Sequence, residues 1–318
     1  MRKTTLITFA ALTLAAPALA LDCEDGFRAF EHLKGETCIP TEPQRIVSLG
    51  SKNVTVPMIE LGVLPVGSQG TLPDGGTPTI RASATATGVD FGNSDIAFVG
   101  DYPVDLELIA AQNPDLIIWP DWQSDVSLEQ LEAIAPTVAY ATDSTLHDAQ
   151  AFYAALLERD AQLAANRARY DAQIAQLAAL VSEGATYSII HGGDGVFWTG
   201  QPYGNLDLIL QDAGLTQNAL IAEQPQGTYP EFSAERLQDL DADWIFTTYR
   251  TDRGQVPQDA IEAMEAAFPG FCDVLKACRE GRLIAVPREE ITTPSYDAVG
   301  GAIFMLTTVL SNPFIQPE

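Results

Sequence analysis

The sequence predicts an α/β protein made of two lobes with parallel sheets, joined by one long α-helix and separated by a ligand cleft. Two observations predict this plan. Short apolar runs alternate with helical segments before residue 145 and again after residue 184, which is typical of parallel sheets covered by helices. Between these regions, residues 149–182 contain neither proline nor glycine and are rich in Ala, Gln, Leu and Arg.

The first half of the chain contains successive strand–helix units. The apolar run Arg45–Leu49 is bounded by Pro43 and Gly50, as expected for a buried parallel strand. Pro114 ends a helical segment, and a second strongly apolar run follows it at once. The predicted strands are 45–49, 64–67, 115–119 and 136–140, and the predicted helices are 54–61, 105–113 and 128–134.

The segment 149–182 is predicted to form one helix. Its larger apolar residues recur at helical spacing, namely Leu156, Leu163, Tyr170, Ile174 and Leu177. An unbroken helix of this length would extend roughly 50 Å at the usual rise per residue. Because that is too long for a crossover inside one small domain, we expect a rigid connector across the back of both lobes.

The strand–helix alternation returns in the second half. Gly214 directly follows a helical segment, a position that favours glycine, and Ser233 is a candidate helix N-cap. The predicted strands are 186–190, 244–247 and 283–286, and the predicted helices are 206–213, 234–240, 261–267 and 298–310. Since open α/β sheets bind ligands beyond the carboxyl ends of their strands, two facing lobes predict a cleft between them.

The N-terminus predicts an exported protein. Two basic residues precede the apolar stretch Leu6–Ala16, and Ala18-Leu19-Ala20 is a small-x-small cleavage site. We therefore predict a signal peptide that is cleaved before Leu21 and a soluble product without membrane insertion. The predicted divisions are a signal peptide over 1–20, an N-terminal extension over 21–42, an N-terminal lobe over 43–145, a connecting helix over 146–183 and a C-terminal lobe over 184–318.

Four cysteines, Cys23, Cys38, Cys272 and Cys278, indicate two disulfide bonds, because their number is even and an exported chain meets an oxidising compartment. Three pairings are possible. We expect Cys23–Cys38 and Cys272–Cys278, since the partners in each pair are close in sequence and the two pairs are far apart. The spacings do not fit a zinc motif, and no histidine flanks the cysteines.

The charge balance excludes two classes of partner. Acidic residues outnumber basic residues 43 to 17, which gives a formal net charge of −26. A chain this acidic does not attract nucleic acid or anionic lipid through its overall field, and the excess is typical of a surface that favours solubility. Any arginine close to a cleft in such a protein is therefore informative.

Several segments match one known pattern in their order and spacing. They are Pro43–Leu49, Leu61–Gly67, Asp105–Glu107, Asn113–Ile118, Ala133–Val138, Ser233–Leu237, Leu240–Phe246 and Leu275–Leu283. Together they resemble the class III periplasmic substrate-binding proteins, and in particular the iron–siderophore branch of these ABC transporter components. The extension over 21–42 and the paired cysteines depart from that pattern.

The resemblance implies two Rossmann-like lobes joined by one long helix around a stiff cleft. It implies a periplasmic monomer without enzymatic activity, which captures a ferric siderophore and delivers it to the membrane subunits of an ABC importer. Iron is then carried inside the siderophore, and no further cofactor is expected. In this family one glutamate on each lobe tip docks on arginines of the permease, and the matching motifs assign these roles to Glu107 and Glu235.

The ligand contacts are expected just beyond the predicted strand ends. A ferric siderophore is often anionic and carries aromatic or carboxylate arms, so its site needs arginine donors and aromatic walls. Arg250 is the arginine that we favour most, because it stands at a strand end in an acidic protein. The candidate ligand-binding residues are Trp119, Trp122, Trp198, Tyr249, Arg250, Tyr296 and Arg81.

Three alternatives have less support. Direct capture of a metal ion needs several convergent histidines, whereas the three histidines are scattered along the chain; His191 ends a strand and is a candidate polar contact. Haem or a cobalamin is an alternative cargo for the same fold, with Tyr249, Tyr296 or His191 as an axial ligand of haem. An exported enzyme is a remote alternative, since Gly192–Gly195 lacks the lysine of a P-loop and the sequence contains no nucleophile elbow.

Overall fold

The computed structural model describes residues 21–73 and 75–316. It contains two α/β lobes, each with a parallel sheet, so the predicted fold class is confirmed. The predicted signal peptide, residues 1–20, lies outside the described residues. Within the described ranges, no helix is both long enough and apolar enough to cross a membrane.

The N-terminal extension is a disulfide-linked β-hairpin of strands β1 (Phe27–His32) and β2 (Gly35–Pro40). Cys23 and Cys38 form the first predicted disulfide, and Cys272 and Cys278 form the second, so both pairings are confirmed. The hairpin tip bonds to the N-terminal lobe. There Leu33 donates its N–H to the Ala139 carbonyl, and Ala139 donates its own N–H to His32 Nδ1, at 3.2 Å and 3.1 Å.

The N-terminal lobe contains a five-stranded parallel sheet in the order β5-β4-β3-β6-β7. Its elements are β3 (Ile46–Ser48), α1 (Val56–Glu60), β4 (Gly67–Ser68), α2 (Ser83–Thr87), β5 (Ala97–Phe98), α3 (Leu106–Ala111), β6 (Leu116–Pro120), α4 (Leu128–Glu132) and β7 (Thr137–Tyr140). Alternate residues enter separate apolar clusters, so that Ile46 and Ile118 pack in one cluster whereas Val47 and Ile117 pack in another. Burial on both sides explains why these strands are continuously apolar.

The predicted single helix over 149–182 is wrong, because the connector consists of α5 (Leu146–Leu157) and α6 (Asp160–Ala178). Glu158 adopts a left-handed conformation (φ 55°) and ends α5. Most buried apolar residues of α5, such as Tyr153, pack in the N-terminal core, whereas those of α6, such as Tyr170, pack in the C-terminal core. Leu146 of α5 is an exception and packs in the C-terminal core. The break between the helices therefore falls where packing passes from one core to the other.

The joint between α5 and α6 is held by the extension. Arg28 Nη2 donates hydrogen bonds to the carbonyls of Ala155 (3.0 Å) and Leu156 (2.9 Å), in the last turn of α5. Its Nε lies 3.6 Å from a carboxylate oxygen of Glu158. A cation at the C-terminus of a helix satisfies carbonyls that lack partners within the helix. The hairpin therefore contacts both the edge of the first sheet and the connector joint.

The C-terminal lobe combines a four-stranded parallel sheet, β11-β8-β13-β14, with a three-stranded antiparallel sheet, β12-β10-β9. Its elements are β8 (Thr186–Ile189), β9 (His191–Gly193), β10 (Val196–Trp198), α7 (Gly204–Asp212), β11 (Thr216–Gln217), α8 (Ala219–Ala222), β12 (Glu231–Ser233), β13 (Trp244–Tyr249), α9 (Pro257–Ala267), α10 (Phe271–Val274), α11 (Lys276–Arg279), β14 (Leu283–Pro287), α12 (Arg288–Thr292) and α13 (Tyr296–Leu310). Asp194 and Gly195, both at positive φ, form the turn of the β9–β10 hairpin.

Glu60, the last residue of α1, joins the two lobes. Its carboxylate accepts the backbone N–H groups of Tyr296 (2.9 Å) and Asp297 (2.8 Å), in the first turn of α13. Gln150 donates to the same carboxylate at 2.9 Å. Burial, followed by the nearby charge of Asp297, raises the pKa of Glu60 to about 7. The lobes are thus tied together by a buried carboxyl group that titrates near neutrality.

Candidate functional site: a ligand cavity at the sheet edge

A cavity of about 310 Å³ opens in the C-terminal lobe, at the carboxyl ends of β8, β13 and β14. His191 follows β8, Arg250 follows β13 and Arg288 follows β14. Parallel strands bring these three ends to the same edge of the sheet, which is the ligand-binding edge of open α/β folds. The side chains that define its chemistry are His191, Trp198, Tyr203, Thr248, Arg250 and Arg288.

One wall of the cavity is aromatic. The His191 ring lies between Trp198 and Tyr203, with ring centroids 4.3 Å and 4.4 Å away. Gly192 allows this wall to pack against α9, because a Cβ at that position would collide with the Ala263 carbonyl. Trp198 also lies between the main cavity and a smaller pocket of about 190 Å³, which Tyr229 helps to line.

His191 is uncharged at neutral pH. Its side chain is 4% exposed, and burial, with a smaller contribution from the charge of Arg288, lowers its pKa to about 3. Its Nδ1 lies 3.4 Å from the hydroxyl oxygens of both Thr247 and Thr248. Its Nε2 is buried and has no hydrogen-bond partner among the described residues.

Arg250 and Arg81 meet in an ion-pair network that crosses the cleft. Arg250 binds Asp252 with two nitrogens, Nε at 2.9 Å and Nη2 at 2.5 Å. Arg81, from the N-terminal lobe, binds Asp252 at 3.0 Å and Glu289 at 2.6 Å. Burial opposes ionisation of Asp252, but the hydrogen bond from Arg250 and the charges of both arginines lower its pKa to about 2. The two arginines are therefore largely neutralised by carboxylates.

Two further cations lie beside this network. Arg288 lines the cavity, and its Nε is buried without a hydrogen-bond partner in the described part of the chain. Lys52, from the N-terminal lobe, reaches across to α12 and donates to Thr292 Oγ1 at 2.7 Å. Burial, then the charges of Arg81 and Arg288, lowers the pKa of Lys52 to about 7. Four of the 17 lysines and arginines thus converge on one region of an acidic protein.

The structure brings only some of the predicted ligand residues together. Trp198 and Arg250 line the cavity, and Arg81 contacts its edge through Asp252. Trp122 is 45% exposed on the N-terminal lobe, where its ring lies 6.3 Å from that of Tyr102. The structure thus places two predicted residues in the cavity wall and one at its edge.

Three predicted ligand residues do not line this cavity. Trp119 is buried in the N-terminal core, and its Nε1 donates to the Gln123 carbonyl at 3.1 Å. Tyr296 is buried in the core of the C-terminal lobe, with its hydroxyl 2.9 Å from His147 Nδ1. Tyr249 is half-buried at the end of β13 and is not among the residues that line the cavity.

The two glutamates assigned to docking are both exposed, and each lies in the first turn of a short helix. Glu107 is in α3, and Glu235 is in the 3₁₀ helix Ala234–Leu240. Neither carboxylate has an ion-pair partner or a hydrogen-bond donor within 21–73 and 75–316. Asp105 caps α3 by accepting the N–H groups of Glu107 and Leu108. The glutamates are thus available to a partner, with one on each lobe.

The sequence reasoning missed Arg288, Tyr203 and Lys52. A usable signal existed for Arg288, which directly follows a predicted strand just as Arg250 does. Lys52 likewise lies shortly beyond the carboxyl end of β3. Tyr203 had no such signal, because it reaches the cavity from the loop before α7 and its role depends on the tertiary fold.

Comparison with known proteins places the chain among binding proteins. A sequence model of the family described as "Periplasmic binding protein" matches residues 88–290. A search of curated protein sequences gave no match.

Similar solved structures cover nearly the whole described fold. Staphylococcus aureus SirA complexed with staphyloferrin B superposes with a TM-score of 0.69 at 20% identity, over 89% of this chain and 98% of that chain. The FhuD fold-family periplasmic component of a Fep/Fec-like ferrichrome ABC transporter from Bacillus subtilis gives a TM-score of 0.72 at 20% identity, over 89% and 100%. FhuD2 from Staphylococcus aureus with bound ferrioxamine B gives 0.62 at 16%, over 84% and 98%. At these identities the likeness establishes the fold.

Proposed function

This chain belongs to the periplasmic binding protein family, and on that premise we propose that it captures a ferric siderophore and delivers it to an ABC importer. The observation that carries the proposal is the cavity at the carboxyl ends of β8, β13 and β14, where cationic and aromatic side chains converge. Arg288 supplies donors for the oxygen-rich surface of a chelate, and Arg250, paired with Asp252, lines the same cavity. Trp198 and Tyr203 supply a wall for its aromatic or apolar arms.

The fold-level comparison agrees with this cargo. Solved structures of the same fold carry staphyloferrin B and ferrioxamine B according to their descriptions. Because these proteins share at most 20% identity with the chain, the identity of its own ligand has to come from its own side chains. The binding protein acts through affinity and docking and carries out no chemistry on its ligand.

Delivery requires a second contact, with the membrane subunits. Glu107 and Glu235 are exposed carboxylates on different lobes without partners among the described side chains. Two carboxylates fixed on one body can pair with two arginine sites on the permease, and arginine–carboxylate geometry then sets the register. A cleaved signal peptide over 1–20 would deliver the mature protein to the periplasm as a monomer.

Isothermal titration calorimetry of residues 21–318 against ferric siderophores tests the binding proposal. We expect at least one ferric catecholate, carboxylate or hydroxamate siderophore to bind with micromolar or tighter Kd, and its iron-free form to bind more weakly. Trp198→Ala should weaken binding, whereas Trp119→Phe, a change in the core of the other lobe, should leave it unchanged. If every ferric siderophore fails to bind while haem gives a Soret shift or a cobalamin binds, the siderophore proposal is wrong.

A further inference from the structure

The cations around the cavity differ in whether they already have partners. Resting on the proposed function, we infer that the cargo is an anionic ferric chelate, whose acidic arm is held between Arg288 of the C-terminal lobe and Lys52 of the N-terminal lobe. Arg250 and Arg81 then have a supporting role, because Asp252 and Glu289 already neutralise them. The inference selects carboxylate and catecholate chelates over neutral or cationic hydroxamate chelates.

Arg288 is the cavity arginine without a carboxylate partner among the described residues. It begins α12 at the end of β14, and its guanidinium forms no ion pair with any carboxylate of the described residues. Its Nε is buried and unpartnered in the same part of the chain. A buried donor without an acceptor is costly unless a ligand or a solvent molecule supplies one. Arg288 also lines the cavity, so a ligand bound there can contact its side chain.

Lys52 approaches the same helix from the opposite lobe. Its Nζ donates to the hydroxyl and the carbonyl of Thr292, at 2.7 Å and 3.3 Å, and has no carboxylate partner among the described residues. Thr292 stands one helical turn after Arg288, and its hydroxyl donates to the Arg288 carbonyl at 2.8 Å. Residues four apart lie on one face of a helix, so Lys52 and Arg288 are close neighbours across the cleft. Their mutual repulsion, which contributes to the lowered pKa of Lys52, agrees with this placement.

His191 adds an uncharged donor to the same cavity. The hydroxyls of Thr247 and Thr248 both lie within reach of Nδ1, so Nδ1 can act as the acceptor and Nε2 can carry the proton. Nε2 is buried and has no partner among the described residues. Both residues line the cavity, so a chelate bound there can contact Arg288 and His191 together. Arg288, which has no ion pair among the described residues, Lys52, which a nearby anion would keep protonated, and one neutral donor match an anionic oxygen ligand.

Competition between chelates of different charge tests the inference. The probes are ferric citrate and a ferric tris-catecholate, which are anionic, ferrichrome, which is neutral, and ferrioxamine B, which is cationic. We expect the wild-type protein to bind at least one anionic chelate more tightly than both hydroxamate chelates. If either hydroxamate chelate binds as tightly as the best anionic chelate, the inference fails and the proposed function stands. If none of the four binds, and no other ferric siderophore binds, the proposed function itself fails.

Single-residue variants test whether Arg288 and Lys52 cause the preference for anionic chelates. Arg288→Gln and Lys52→Met should each lower the ratio of anionic-chelate affinity to ferrichrome affinity by about 10- to 100-fold. Arg288→Lys should have an intermediate effect, because it keeps the charge and loses the planar donors. Arg253→Gln is the matched control, since Arg253 is exposed in the neighbouring loop without an ion pair among described residues. The ratio of anionic to neutral affinity is the readout, because partial unfolding lowers both affinities together. An unchanged ratio in Arg288→Gln would overturn the inference.

Discussion

Arg81 of the N-terminal lobe places its Nη2 2.6 Å from a carboxylate oxygen of Glu289 in the C-terminal lobe. The Glu289 side chain is 2% exposed, whereas that of Arg81 is 21% exposed. Thr251 also donates to this carboxylate, through its N–H and its hydroxyl, both at 3.2 Å. The pair crosses the cleft at the edge of the ligand cavity, so the arginine predicted from the sequence as a ligand contact acts in this structure as a contact between the lobes.

Loss of Arg81 should destabilise the protein. Arg81→Gln leaves the buried Glu289 carboxylate without its main counter-ion, and we expect a loss of about 3 kcal/mol in the free energy of unfolding measured with urea. Arg81→Gln/Glu289→Gln should recover part of this loss, because no unpaired charge then remains buried. Strictly additive effects of the two single changes would show that the ion pair does not couple the lobes.

The buried His191 should make the protein less stable in acid. Its pKa is about 3 in the folded protein and near 6.5 in the unfolded chain, so the unfolded state binds the extra proton between these values. Stability is therefore lost as the pH falls below about 6.5, at up to about 1.4 kcal/mol per pH unit. In urea titrations at pH 7 and pH 5, the difference in stability between wild type and His191→Asn should shrink at the lower pH. An equal difference at both values would mean that His191 is not buried as described.

The buried Glu60 should make the protein more stable in acid, in contrast to His191. Its pKa is about 7 in the folded protein and near 4.5 in the unfolded chain, so the folded state binds the extra proton between these values. This contribution to stability grows as the pH falls from 7 towards 4.5 and declines as the pH rises. The stability difference between wild type and Glu60→Gln should therefore be larger at pH 5 than at pH 7. A difference that is smaller at pH 5 would contradict the assigned direction of the pKa shift.

Loss of the docking glutamates should impair transport without changing the affinity for the ligand. Glu107→Ala and Glu235→Ala should each reduce uptake several-fold in cells or in proteoliposomes that contain the cognate permease, and should leave the ferric-siderophore Kd unchanged. Both side chains are exposed and outside the cavity, so ligand binding does not depend on them. Glu132→Ala provides the control, since Glu132 is another exposed carboxylate of the N-terminal lobe. Full uptake by the Glu107→Ala/Glu235→Ala double variant would rule out the assignment.

Strands buried on both faces were the elements best predicted from sequence. The runs 45–49, 115–119 and 136–140 correspond to β3, β6 and β7, because both sides of the sheet are covered and the run of apolar residues is unbroken. Both disulfides were also predictable, because the paired cysteines are only 15 and 6 residues apart in the sequence. These features depend on local sequence.

Features that depend on tertiary contacts were not predictable in the same way. The break at Glu158 has no proline or glycine to mark it, and it arises because α5 and α6 pack on different cores. Trp119 ends a predicted strand, and Trp198 ends the observed strand β10. Trp119 nevertheless enters the core, whereas Trp198 lines the cavity. The sequence places an aromatic residue at a strand end without specifying which of these environments it meets.

The location of bound iron tests the account most directly. Crystals of residues 21–318 grown with the tightest-binding ferric chelate would be measured at the iron absorption edge, where anomalous scattering marks the metal without reference to the protein coordinates. We predict one strong anomalous peak in the cavity between Trp198, Tyr203 and Arg288, with the chelate touching Lys52 from the other lobe. An iron peak elsewhere on the molecule, or a chelate bound outside this cavity, would contradict the account.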